Sequence, residues 1–286
     1  MRRRTVLKVT ALAFSLAAAL LAWAPGGGRA LVFRLVKEVS CAQALFATRH
    51  LVSFSSEHFV VRCAPENSAG ARLVLDAAEK AYNQLAAKYD FQGKRIPVII
   101  YPSRQELNRY FGWPAGESAM GAYWAGVIRV LAPEAWISGE TGEAGEEGEK
   151  LVFERSGPML HEFTHLVVDS LTNGNVPRWL TEGLAQDEEL RVNGFTLPAP
   201  ANLGARHYSF SALDRGFDAL PDQTLAYGQS LSAVKYIAAV YGEGKIREIL
   251  AALGAGRDID GALTAALGVN LEEFETGWKN WAGQNG

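Results

Sequence analysis

His161-Glu162-Phe163-Thr164-His165, followed by Pro177-Arg178-Trp179-Leu180-Thr181-Glu182-Gly183-Leu184-Ala185, is the stretch on which the expected fold turns. An α-helix advances about 100° per residue, so His161 and His165 on one helix stand about 40° apart around the axis and about 6 Å apart along it. Both imidazoles then reach one ion. Glu162, beside the first histidine, is placed to reach a water at that ion but not to ligate easily alongside both rings. Zinc takes histidine nitrogens at about 2.0 to 2.1 Å, and three protein ligands with an open fourth position make its catalytic form, so a third ligand must come from elsewhere. Two plain explanations compete. One is chance, which five histidines in 286 residues make uncommon, and the other is a core helix whose histidines only hydrogen-bond. The second run weighs against both, because the turn Asn173-Gly174-Asn175 returns it beside the first helix. An acid at Glu182, flanked by Leu180 and Leu184, is costly to bury unless a cation neutralises it.

Working outward, the residues before the motif read as a small α/β half. Glu57 to Cys63 alternates as a strand, and Ser68 to Tyr89 carries Leu73, Ala77, Ala81, Leu85 and Tyr89 at helical spacing. Ile96 to Tyr101 is a second strand, Arg104 to Phe111 a short helix, and Tyr123 to Leu131 one or two further strands around Gly126. Ser138 to Lys150 is a Gly- and Glu-rich tract with no apolar anchor, expected as a solvated mobile loop. Beyond it the chain turns helical. Met159 to about Leu171 holds the motif, and helices follow at Pro177 to Glu189, Leu225 to Tyr241, Lys245 to Leu253, Ile259 to Leu267 and Leu271 to Trp281. There is no internal repeat.

The run His161 to His165 with Pro177-x-Trp179-Leu180-x-Glu182-Gly183-Leu184-Ala185 resembles the gluzincin zinc metallopeptidases, in particular the bacterial peptidase-MA-like domain, a thermolysin-related group. The similarity extends over most of the chain after about residue 55, including Tyr227-Gly228-Gln229-Ser230. It implies an α+β, zincin-like fold in which an N-terminal mixed sheet with helices is followed by an all-helical half, with the metal site between them. The subdomains expected are 56–155 and 156–286. It also implies one Zn2+ held by His161, His165 and Glu182, with Glu162 as general base in the hydrolysis of a peptide or protein substrate. Tyr227 is the oxyanion donor by the same likeness, with His207 second. Val127 to Leu131 is expected as the edge strand that receives substrate. Ligating histidines generally give their other N–H to a carboxylate or carbonyl. Asp169 follows His165 by one turn, either in that role or as a solvent-facing acid. Gln186 stands where such enzymes carry an aspartate for the first histidine, leaving Asp187 to replace it. A protein of the cell envelope that binds zinc or a peptide without turnover is the alternative in another class.

The remaining features bound the setting. A formal net charge of −3 offers no basic excess for nucleic acid, and with 48% hydrophobic residues the chain can bury a sizeable core. Arg2-Arg3-Arg4 precedes an apolar run from about Val6 to Ala24, the pattern of an export segment, with Gly28-Arg29-Ala30 the better cleavage site. Uncleaved, the run is barely long enough to span a bilayer, and the segment 1–30 would anchor the chain in a membrane with the body outside the cytoplasm. Residues 31–55 are expected as a linker. Cys41 and Cys63 are the two cysteines. Export permits a disulfide between them, and two separately buried thiols fit equally well.

Overall fold

The computed structural model describes residues 27–93, 95–116, 119–137, 145–198, 200 and 202–285. The apolar run from Val6 to Ala24 and residues 138–144 of the acidic tract lie outside them. Residues 31–55 are not a linker. Gly27–Ala47 forms helix α1 and Val52–Ser55 strand β1. The segment Gly28-Arg29-Ala30 falls in the first turn of α1.

Strand β1 pairs antiparallel with β2 (Phe59–Cys63), and helix α2 (Ser68–Tyr89) then crosses over to β3 (Ile96–Tyr101), which lies parallel to β2. Helix α3 (Arg104–Phe111) leads to β4 (Gly121–Trp124) and β5 (Val127–Leu131), an antiparallel hairpin. Its two-residue turn has φ of 47° at Ala125 and 85° at Gly126, and positive φ at both centres matches the twist of the flanking strands. Because β5 also pairs with β3, the five-stranded order is β1-β2-β3-β5-β4. This corrects the expected edge strand. Val127–Leu131 is internal, and β4 closes the sheet at that side.

Alternation along the strands divides the sheet into two faces. Phe59, Val61, Val98, Ile100, Ile128 and Val130 enter the main core against α2 and the motif helix. Val60, Ile99, Val127 and Leu131 are buried on the other face, which α1 and α3 cover. The two cysteines are free thiols. Cys63 is buried in the main core, whereas Cys41 sits on α1 with its Sγ 3.4 Å from the Gly126 carbonyl.

The expected loop through Lys150 is shorter than predicted, because helix α4 runs from Gly145 to Ser156. Its anchors come just after the acidic stretch: Phe153 is fully buried and Val152 packs beside it. The helical half comprises α5 (Met159–Thr172), α6 (Arg178–Asn193), α7 (Phe210–Gly216), α8 (Gln223–Tyr236), a π turn (Ile237–Tyr241), α9 (Gly244–Gly254), α10 (Ile259–Leu267) and α11 (Leu271–Asn285). Helix α5 ends on Asn173 in the left-handed region, φ 52°, and α6 starts directly after Pro177. The Asn175 amide donates to the Leu253 and Arg257 carbonyls at 2.9 and 2.7 Å, which pins the turn to the end of α9. On the face of α5 away from its histidines, Phe163 meets Phe59, Tyr82 and Phe91 at 5.6 to 5.7 Å. That contact fixes the rotation of the helix about its axis.

Candidate metal centre

With Phe163 turned into the core, one helical turn presents His161 and His165 on the opposite side of α5, their ring centroids 4.7 Å apart. Helix α6 runs back beside α5 and brings in Glu182. Its Oε2 is 3.3 Å from His161 Nε2 and its Oε1 3.6 Å from His165 Nε2. One ligand atom from each of the three residues lies within 4.8 Å of the others.

Each histidine is steered through its second nitrogen. His161 Nδ1 pairs with Glu189 Oε2 at 2.9 Å, and His165 Nδ1 pairs with Thr181 Oγ1 at 2.7 Å. In the tautomer where Nδ1–H donates, both Nε2 lone pairs face Glu182. A carboxylate on a ligating histidine fixes its tautomer and raises its basicity. Glu189 supplies that carboxylate two turns after Glu182, one turn beyond the position that Gln186 occupies. Asp187 does not take the role, since it faces Arg191 at 2.7 Å. Gln186 instead donates to the main-chain oxygens of Glu182 and Tyr227, tying α6 to α8. Asp169 accepts from the Tyr123 hydroxyl, and it is Thr181 that pairs with His165 Nδ1. Because Glu189 holds His161 through one strong bond, Glu189→Gln is expected to weaken metal affinity about 10- to 100-fold with the fold intact, measured by titration against a competing chelator.

The electrostatics favour a cation. Burial alone would push the Glu182 carboxyl up, but His161 and the Arg178 guanidinium outweigh it and hold the group ionised, well below the usual carboxylate range. Burial likewise pushes His165 down, so its ring stays neutral. Glu182 is 1% exposed, and its Oε2 accepts no hydrogen bond despite its nearness to His161. A buried ionised oxygen without a donor costs several kcal/mol unless something positive meets it. Two histidine nitrogens and a carboxylate form a donor set that suits a divalent transition metal.

The structure also places the other predicted site residues. Glu162 is buried, and that burial pushes its carboxyl up to about 7. The main-chain N–H of Tyr123 on β4 donates to it. Gly121 on the same strand is what allows this approach, for a Cβ there would stand 2.8 Å from Pro158 Cβ and 3.0 Å from Glu162 Cγ. Tyr227, in the first turns of α8, shares a hydrogen bond with Arg178, and burial with the nearby Glu182 charge drives its hydroxyl pKa upward. His207 is placed elsewhere, edge-on to Trp278 at 5.6 Å.

Residues 134–284 match the model of the Peptidase MA superfamily. The chain belongs to the Peptidase MA superfamily. No curated protein matches the chain. The superfamily match takes in α4 to α11 with all three candidate ligands, so this part of the chain is a metallopeptidase-like domain. It is shorter than the likeness read from residue 55 onward, since the five strands precede it. The approach of β4 to Glu162 therefore stands on geometry alone.

Three members of the site were not picked out from the sequence. Arg178 lies 3.0 Å from Glu182 Oε1, one turn before it, and also faces Asp218 at 3.5 Å. Thr181 and Glu189 belong to the same helix. Helical spacing from Glu182 marks Arg178 as its neighbour, but nothing local distinguishes Glu189 from Asp187 and Glu188. All three acids are buried, and each has its own partner: Arg191 for Asp187, Lys88 with Tyr89 for Glu188, and His161 for Glu189.

Proposed function

We propose that this chain is an exported zinc peptidase of the gluzincin type, in which His161, His165 and Glu182 hold the ion and Glu162 is the general base. The observation that carries this reading is the buried Glu182 carboxylate set against two histidine nitrogens, its donorless Oε2 3.3 Å from His161 and its Oε1 3.6 Å from His165, with a second carboxylate, Glu162, at the sheet edge beside them. Bound zinc supplies Lewis-acid polarisation of the scissile carbonyl and acidifies water. The chain's own groups do the rest. Glu162 accepts a proton from the attacking water and delivers it to the leaving amine, a task suited to a carboxyl whose pKa burial has raised toward neutrality. Tyr227 and Arg178 stand together at the Glu182 side of the cluster, where their donors can meet the negative charge developing on the carbonyl oxygen. Strand β4, at the edge of the sheet among the described residues, would offer main-chain groups to an extended peptide, which would thereby pass Glu162 in a fixed register. Export is supported by the Arg2-Arg3-Arg4 cluster ahead of the apolar run.

Purified protein is expected to hold about one zinc and to cleave members of a broad peptide library. Cleavage should vanish on dialysis against a strong chelator and return with added zinc. Bound zinc without cleavage of any peptide would favour the envelope-binding alternative, and failure to bind zinc would remove both.

A further inference from the structure

Helix α1 docks through one face only. Lys37 Nζ donates to Ser170 Oγ at 2.6 Å, Cys41 bonds the Gly126 carbonyl, and the Phe33 ring lies against Gly174. Among the described residues nothing covers the opposite side, where Leu31, Leu35, Val39 and Phe46 are 58%, 50%, 62% and 67% exposed, with Glu38 exposed at its margin. At about 100° and 1.5 Å per residue, these four fall within an arc of about 80° and span about 22 Å of helix. Other large exposed apolar side chains among the described residues, such as Leu151, Leu197 and Val240, come from separate elements. Arg34 is exposed beside the stripe, and the Arg49 guanidinium sits 4.1 Å over the Phe46 ring.

What precedes α1 in the chain indicates what meets this face. The apolar run Val6 to Ala24 follows three basic residues, Arg2, Arg3 and Arg4, carries Lys8 near its start, and ends three residues before Gly27. Such a run partitions into a bilayer. Three residues reach at most about 10 Å, so a run held in lipid brings α1 to the headgroups. We propose that α1 lies in the surface of a phospholipid bilayer, with Leu31, Leu35, Val39 and Phe46 at the acyl boundary and Arg34 and Arg49 on headgroup phosphates. This inference goes beyond the proposed chemistry and does not depend on it.

The test uses the full chain reconstituted in phosphatidylcholine and phosphatidylglycerol vesicles that carry a phospholipid with a photoactivatable diazirine in its acyl chain. After irradiation, tryptic peptides are assayed for lipid adducts. Glu38–Arg49, which holds Val39 and Phe46, is expected to carry at least about fivefold more label than the peptides with Leu151 or Leu197. The double variant Val39→Glu, Phe46→Glu should lose that label and keep its circular dichroism spectrum and the label in Val9–Arg29. Three results would overturn the proposal: label in Glu38–Arg49 no higher than in the controls, label indifferent to the two glutamates, or cross-links joining the Val6–Ala24 run to the stripe. The last would show that the chain itself covers this face.

Discussion

Glu162→Gln is expected to lower kcat by about a thousandfold while zinc content and thermal stability stay at wild-type values. The amide keeps the size of the carboxylate, and its oxygen can still accept the Tyr123 N–H that holds the side chain beside β4. What it cannot do is take a proton from water. A thousandfold loss corresponds to about 4 kcal/mol of transition-state stabilisation, within the range expected for one positioned base. Because Glu162 is not among the three converging ligand residues, the metal should remain. Single-turnover assays on a library-derived peptide, together with metal analysis, make the comparison. Unchanged cleavage would show that the base lies elsewhere, and loss of zinc would show that Glu162 belongs to the ligand set.

The second large effect is structural. A Cβ on Gly183 would stand 2.3 Å from the Ser230 carbonyl oxygen and 2.7 Å from its carbon. Both are backbone atoms of α8 within a helix, so no side chain can swing aside to relieve the clash. Gly183→Ala should therefore force α6 and α8 apart, at a cost of about 3 kcal/mol for overpacking a rigid contact. For a chain of this size that lowers Tm by roughly 6 to 12 °C. Glu182 is the neighbouring residue and Tyr227 lies one turn before Ser230, so metal affinity and kcat should fall with stability. Scanning calorimetry of the zinc-loaded protein reads the first effect and chelator titration the second. Gly194→Ala serves as control. That glycine caps the same helix at φ 67°, and its Cβ would meet nothing within 4 Å. It should cost only the strain of the left-handed conformation, about 1 kcal/mol. Equal losses in the two variants would show that the close approach of α6 to α8 carries no special weight.

The parts of the site that were legible from sequence are those whose geometry is local. Helical periodicity alone puts His161 and His165 on one side of α5 and Phe163 on the other, because residues four apart on a helix share a face wherever the helix sits. The turn at Asn173-Gly174 and the start after Pro177 likewise follow from backbone preferences of single residues, and they return Glu182 toward the histidines. Helix α1 was missed although Leu31, Leu35, Val39 and Phe46 recur at helical spacing, because that stripe faces outward; contacts far along the chain, through Phe33, Lys37 and Cys41, are what dock the helix on the fold.

Strand order was not legible either. A two-residue turn pairs β4 with β5, but it is the parallel pairing of β5 with β3 that makes β5 internal and leaves β4 at the edge beside Glu162. Nor can sequence choose among three consecutive acids, each turned about 100° from the last. That choice belongs to the neighbours: Arg191 takes Asp187, Lys88 and Tyr89 take Glu188, and Glu189 alone is left for His161. The sequence by itself thus picked out His161, His165 and Glu182, the three residues that converge in the cluster, with Glu162 beside them. Tertiary packing decided which groups orient them, because a side chain's partner across the fold depends on helix rotation and strand order, which are set by contacts far apart in the chain.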